Sequence, residues 1–186
     1  MKPLPRMLCV CLLGLILLGC GDAGEPEAVA VGSRAPEFAL KALDGTTVKS
    51  SSLKGEIVVL NFWATYCQPC RSEIPELNRF AADSGAKVVG ISLDAGGPPT
   101  IRQYETEANL KLNYTVLFGD EDLFQRFNGV GIPYTLVLDR SQKIVSIYRG
   151  PVDKETLERD LLKINQSGEA ERTAGGAPRA GHGGGD

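Results

Sequence analysis

Two cysteines with two residues between them, Cys67-Gln68-Pro69-Cys70, are the part of this chain best equipped for chemistry. That spacing lets a disulfide close wherever the backbone turns helically. It is also half of a common zinc site. The surroundings separate the two readings. The pair follows an apolar run, Ile57-Val58-Val59-Leu60-Asn61-Phe62, and precedes a helix-like stretch from Arg71 to Asp83. The start of a helix carries partial positive charge and unpaired N–H groups. A thiolate placed there is stabilised and becomes a usable nucleophile at neutral pH. Cys67, nearer the helix start and solvent, is the expected attacking thiol, and Cys70, one turn further in, the resolving one. A structural zinc site needs four ligands. Beyond the pair and the first nineteen residues, the chain offers only Cys20 and His182. Thiol redox chemistry is therefore expected, and a metal site is not.

A resolving thiol must lose its proton. Glu73 lies three residues after Cys70, on roughly the same helical face. If buried, its carboxyl group would ionise at higher pH than usual and could exchange a proton near neutrality. The bland alternative is a solvated first-turn glutamate favoured by the helix dipole. Asn61, at the end of the apolar run, cannot titrate, which leaves Glu73, water or another group for proton transfer.

The elements needed to position these residues can be read along the chain. Asp44-Gly45 is a strong turn signal between Phe38–Leu43 and Thr46–Lys49, predicting a β-hairpin. The continuously apolar 57–62 reads as a central strand and 87–93 as the next buried strand. Ile74, Leu77 and Phe80 put an apolar stripe on the helix after the cysteines. The remaining pattern predicts a helix over 100–108, a strand over 114–118, a helix over 120–127 and a second hairpin across Arg140-Ser141-Gln142. Asp153 is a good cap for a last helix over 154–165. Strands alternating with helices point to a parallel sheet, with antiparallel strands added by the later hairpin.

Composition agrees with one globular domain: 42% hydrophobic and 23% charged residues, net charge −3. No basic patch suggests nucleic acid as a partner. Residues 1–19 read as an export signal, with Lys2 and Arg6 ahead of the apolar run Leu8 to Leu18. That run is shorter than the roughly 20 apolar residues of a membrane-spanning helix. It ends in Leu17-Leu18-Gly19-Cys20, similar to a bacterial lipobox, which makes Cys20 the expected lipidation site. An ordinary signal peptide and an uncleaved anchor are the alternatives. All three place the domain in the cell envelope outside the cytoplasm, where disulfides persist. Residues 20–33 read as a flexible tether. Residues 34–165 form the expected domain, and 166–186, rich in Gly and Ala, an expected disordered tail.

Trp63-Ala64-Thr65-Tyr66-Cys67-Gln68-Pro69-Cys70 resembles the active site of the thioredoxin-like proteins. Four further features resemble their membrane-tethered branch, the TlpA/ResA-like thiol–disulfide oxidoreductases: the lipoprotein-like start, Ala35-Pro36-Glu37-Phe38, Glu73-Ile74-Pro75 and Gly131-Ile132-Pro133-Tyr134-Thr135. The resemblance implies an α/β thioredoxin-like three-layer sandwich, a central mixed sheet flanked by helices, with an N-terminal β-hairpin extension. It implies a redox-active Cys67–Cys70 disulfide and Glu73 as an active-site acid. No nucleotide, flavin or haem motif is visible, so no cofactor is expected. The resemblance also implies a cis peptide bond before Pro133 beside the disulfide, leaving the backbone of Ile132 to pair with an incoming peptide. Tyr134 departs from the small residue or threonine usual at its position and is expected to narrow the substrate groove. Trp63 is expected to shield the thiols and contact the partner. Tyr66 reads equally well as a partner contact or a core plug. The implied partners are disulfides or dithiols of exported proteins, with the protein as their reductant in cytochrome c maturation or copper-site assembly. Electrons would come from a membrane-embedded thiol carrier.

Two other functions stay open on the residues. A thiol peroxidase of the same fold would want a threonine three before its cysteine, and Thr65 is two before. A Cu(I)-binding assembly module would use Cys67 and Cys70 as soft ligands.

Overall fold

The computed structural model describes residues 28–175. The export signal 1–19, Cys20 and the start of the tether lie outside the described residues, as do 176–186 with His182.

Strand β3 (Val58–Trp63) is buried at every position. Each residue of a central strand faces packed elements on one side or the other, hence a run that is apolar at every position but Asn61. Around it run β1 (Ala39–Ala42), β2 (Thr47–Lys49), β4 (Lys87–Ser92), β5 (Thr115–Phe118), β6 (Tyr134–Leu138) and β7 (Ile144–Arg149). The seven strands form one sheet in the order β2-β1-β5-β4-β3-β6-β7. The pairs β3–β4 and β4–β5 are parallel, and β3–β6, β6–β7, β1–β2 and β1–β5 antiparallel. The four helices are α1 (Gln68–Asp83), α2 (Gly97–Glu107), α3 (Glu121–Arg126) and α4 (Lys154–Gly175).

The sheet separates two apolar layers. On one face Leu60 and Phe62 of β3 pack with Leu123 and Phe124 of α3 and with Phe127. On the other, Val59 packs with Leu77 and Phe80 of α1 and Leu157 and Ile164 of α4. Nearer the cysteines, Trp63 joins Ile74 of α1 and Ile101 and Tyr104 of α2. This is the thioredoxin-like sandwich with its N-terminal hairpin. That hairpin adds β1 and β2 beyond β5, and its turn forms at Asp44-Gly45. Asp44 Oδ1 accepts from the Thr46 N–H at 2.9 Å, and Gly45 takes φ 87°, a conformation that favours glycine.

Three boundaries differ from expectation. Helix α2 starts at Gly97, not Thr100, because Pro98 and Pro99 fit its first turn, where a missing N–H costs nothing. Helix α1 starts at Gln68, not Arg71, because Cys67 itself caps it. Helix α4 runs on to Gly175, past Asn165. The stretch after Ser167 lacks apolar bulk but holds Glu169-Ala170-Glu171-Arg172, good helix formers. Extending an existing helix also avoids the cost of nucleation.

Candidate active site

Helix α1 begins where β3 ends, and this junction builds the site. Cys67 is the N-cap, with extended φ −82° and ψ 105°, and its Sγ accepts from the Cys70 N–H at 3.2 Å. Pro69 lies in the first turn, where a missing N–H costs nothing. Cys67 and Cys70 are joined as a disulfide. Their exposures differ: Cys67 is 8% exposed and Cys70 0%. Cys70 is sealed from outside, and of the pair Cys67 alone keeps exposed surface.

The peptide bond between Ile132 and Pro133 is cis, as the family resemblance implied. The Ile132 carbonyl oxygen lies 3.6 Å from Cys67 Sγ. A disulfide sulfur has no proton to donate, so this is a contact in the oxidised form. It becomes available as a thiol hydrogen bond on reduction.

Glu73 is buried, 1% exposed, on the face of α1 that carries Cys70. Its Oε1 accepts from the Val152 N–H at 3.0 Å and from Thr135 Oγ1 at 3.4 Å, and its Oε2 accepts from Asn61 Nδ2 at 3.0 Å. Asn61 Nδ2 also donates to Thr135 Oγ1 at 2.8 Å. Burial pushes the Glu73 carboxyl up from 4.5 to about 7, outweighing the three donors that favour its ionised form. The solvated-glutamate alternative is thereby set aside. A carboxyl that changes protonation near neutrality sits one helical turn from the inner sulfur.

Two expected contact residues are enclosed. Trp63 is 0% exposed, its ring 5.9 Å from that of Tyr104. It packs in the same apolar cluster as both cysteines and offers no surface to a partner. Tyr134 is also 0% exposed. Its hydroxyl donates to the Phe127 carbonyl at 3.0 Å, and its ring packs with those of Phe62 and Phe124. It therefore fills the core on the far face of the sheet and does not narrow a groove. Tyr66 takes the other course. At 74% exposure it is no core plug. Ile132 is half-buried and Pro133 buried.

The structure adds residues that motif reading missed. Thr135 and the Val152 backbone complete the cradle of Glu73. Register could have found Thr135, since it pairs directly with Asn61 across β3 and β6. Asp94, just past the end of β4, accepts from Thr65 in the cysteine loop. Its signal is position, because loops at the carboxyl ends of parallel strands gather active sites.

Fold and site together define a thioredoxin-like thiol–disulfide oxidoreductase. The sequence pattern of the AhpC/TSA family matches residues 31–169, and the chain belongs to that family. Thiol-disulfide oxidoreductase ResA of Geobacillus thermodenitrificans is 31% identical over 144 residues, covering 75% of this chain and 81% of its own. ResA of Bacillus subtilis is 27% identical over 167 residues, covering 88% and 90%. A crystal structure of a thiol:disulfide interchange protein of the thioredoxin family from Chlorobium tepidum superposes with a TM-score of 0.61 at 31% identity, covering 73% of this chain and 97% of that one.

Proposed function

We propose that this oxidoreductase works in the cell envelope outside the cytoplasm, tethered by a lipid on Cys20, as a reductant of disulfides in exported proteins. Its substrates would be the haem-site cysteines of apocytochromes c or the thiols of copper-site assembly proteins. The observation that carries the thiol chemistry is the asymmetry of the pair, with Cys67 8% exposed beside the Ile132 carbonyl and Cys70 fully enclosed.

In the reduced protein the Cys67 thiolate attacks one sulfur of the partner disulfide. A Cys67–partner S–S bond forms, the partner's S–S bond breaks, and the partner's second sulfur leaves as a thiolate. Cys70 passes its proton to ionised Glu73, directly or through water, and attacks Cys67 Sγ. This closes the Cys67–Cys70 disulfide and releases the partner's first sulfur as a thiolate. Two electrons have moved to the partner. A membrane-embedded dithiol carrier restores them by the reverse exchange. The backbone at Ile132 offers an extended partner segment an edge to pair with, and exposed Tyr66 borders the approach.

A thiol-peroxidase reading gains little from this site, since the Thr65 hydroxyl is held by Asp94 at 2.7 Å.

The test is to express full-length Cys70→Ser and isolate what it holds. The expected result is mixed disulfides through Cys67 with exported proteins carrying haem-site or copper-site cysteines, found with the membrane and released from it by Cys20→Ala. Capture of cytoplasmic proteins alone, or a soluble Cys20 form, would sink the proposal. Titrating the wild-type pair in thiol–disulfide buffers then gives the direction. A potential towards the oxidising end of the thioredoxin-like range, about −120 mV, would make the protein a dithiol oxidase instead.

A further inference from the structure

The loop that carries Cys67 is held on both sides of one residue, Thr65. On one side, the Thr65 N–H donates to Asp94 Oδ2 at 3.0 Å and its hydroxyl to Asp94 Oδ1 at 2.7 Å. On the other, Arg71 Nε donates to the Thr65 carbonyl at 2.7 Å. The Asp94 carboxylate is buried, 8% exposed, and is also bound by the Ser92 hydroxyl at 2.9 Å. Asp94 forms no salt bridge among the described residues, so neutral donors from the loop and from β4 hold its charge. Arg71 is braced in turn, with its guanidinium 5.2 Å from the centre of the Tyr104 ring and that ring packed on Trp63.

We propose that Asp94 and Arg71 are positioning residues for thiol–disulfide exchange, clamping Thr65 so that Cys67 Sγ stays against the Cys70 N–H once the disulfide is open. In the oxidised protein the S–S bond itself keeps the two cysteines together. In the reduced protein the first turn of α1, closed by the Arg71 N–H on the Cys67 carbonyl at 3.1 Å, and the loop before it share that task, and there the clamp counts. The 3.2 Å approach of the Cys70 N–H to Cys67 Sγ stabilises the attacking thiolate. A loosened loop loses that contact in the reduced form alone. The inference concerns the exchange step itself and holds whichever partner the protein serves.

The experiment follows reduced wild type, Asp94→Ala, Asp94→Asn and Thr65→Ala reacting with a small aromatic disulfide across pH. The melting temperature of each is recorded in both redox forms. For Asp94→Ala the rate at neutral pH is expected to fall about tenfold, the scale of one lost charge-assisted hydrogen bond. The rate profile moves to higher pH. The potential becomes more negative, by about 30 mV if the equilibrium changes tenfold. The reduced form loses more thermal stability than the oxidised form. Asp94→Asn, which keeps an acceptor for Thr65, recovers part of the rate. If Asp94→Ala does not fold, Thr65→Ala decides, with an expected loss of two- to threefold from removing the hydroxyl bond alone. A pH–rate profile that coincides with wild type in the folded variants overturns the inference. So does equal loss of stability in both redox forms, which would mark a merely structural role. A rate above wild type for Asp94→Asn overturns it too, since the carboxylate would then act by repelling the thiolate.

Discussion

Glu73 shows how burial converts an ordinary residue into a functional one. The folded protein holds the Glu73 proton up to about pH 7, whereas the unfolded chain releases it near 4.5. Between those values the folded state binds more protons, so stability must fall as pH rises through the window. The expected loss is about 3 kcal/mol, complete above the folded value. Urea denaturation of the reduced protein at several pH values should show this decline, and Glu73→Gln should flatten it. Parallel pH profiles for the two proteins would remove Glu73 from its role as the titrating group. The residue types at the site were legible in the sequence to different degrees. Cys67, Cys70 and Glu73 could be picked out because their spacing along one helix already places them. Trp63 and Tyr134 were misread because spacing says which residues flank a site, not which way the rings turn. In a strand, neighbours point to opposite faces. Tyr134 falls on the α3 face while Thr135 falls on the cysteine side, so the chemistry went to the quieter neighbour.

Strand β4 must bring Gly90 beside Asn61 of β3. That position is crowded. A Cβ on Gly90 would lie 2.9 Å from Tyr114 Cε2 and 3.0 Å from Trp63 Nε1. Gly90→Ala is therefore expected to cost about 1–3 kcal/mol, as overpacked core sites do. It should also alter the near-ultraviolet circular dichroism as an aromatic ring moves. An unchanged denaturation midpoint would mean that the rings yield freely. Most elements could be read from the sequence because local rules and tertiary demands agree in them: the Asp-Gly turn of the first hairpin, the stripe on α1, the Asp153 cap, which accepts from the Thr156 N–H at 2.8 Å. The long end of α4 could not, because its stability derives from continuing a helix already docked through Leu157 and Ile164. The clamp on Thr65 escaped notice for another reason: its partners are 29 residues apart and meet only when β3 and β4 align.

At the scale of the molecule, the mixed sheet has few rivals once β3 is recognised as central. The hairpin β1–β2 next to β5 needed the family resemblance, since nothing local says which strand it will join. The packed domain ends near Ile164, which is buried, whereas no residue from Asn165 to Ala170 is. Truncation after Gln166 should accordingly change stability by no more than about 0.5 kcal/mol, as for ordinary surface changes. A marked fall in melting temperature would instead make the end of α4 part of the domain. The place of Trp63 has one more consequence. It is the only tryptophan in the chain, shut into the apolar cluster that also contains both cysteines. Disulfides quench indole emission at short range, whereas thiols do so weakly. The light the molecule emits therefore reports whether its own cysteines are joined, without a label and from a site that a docked partner cannot reach.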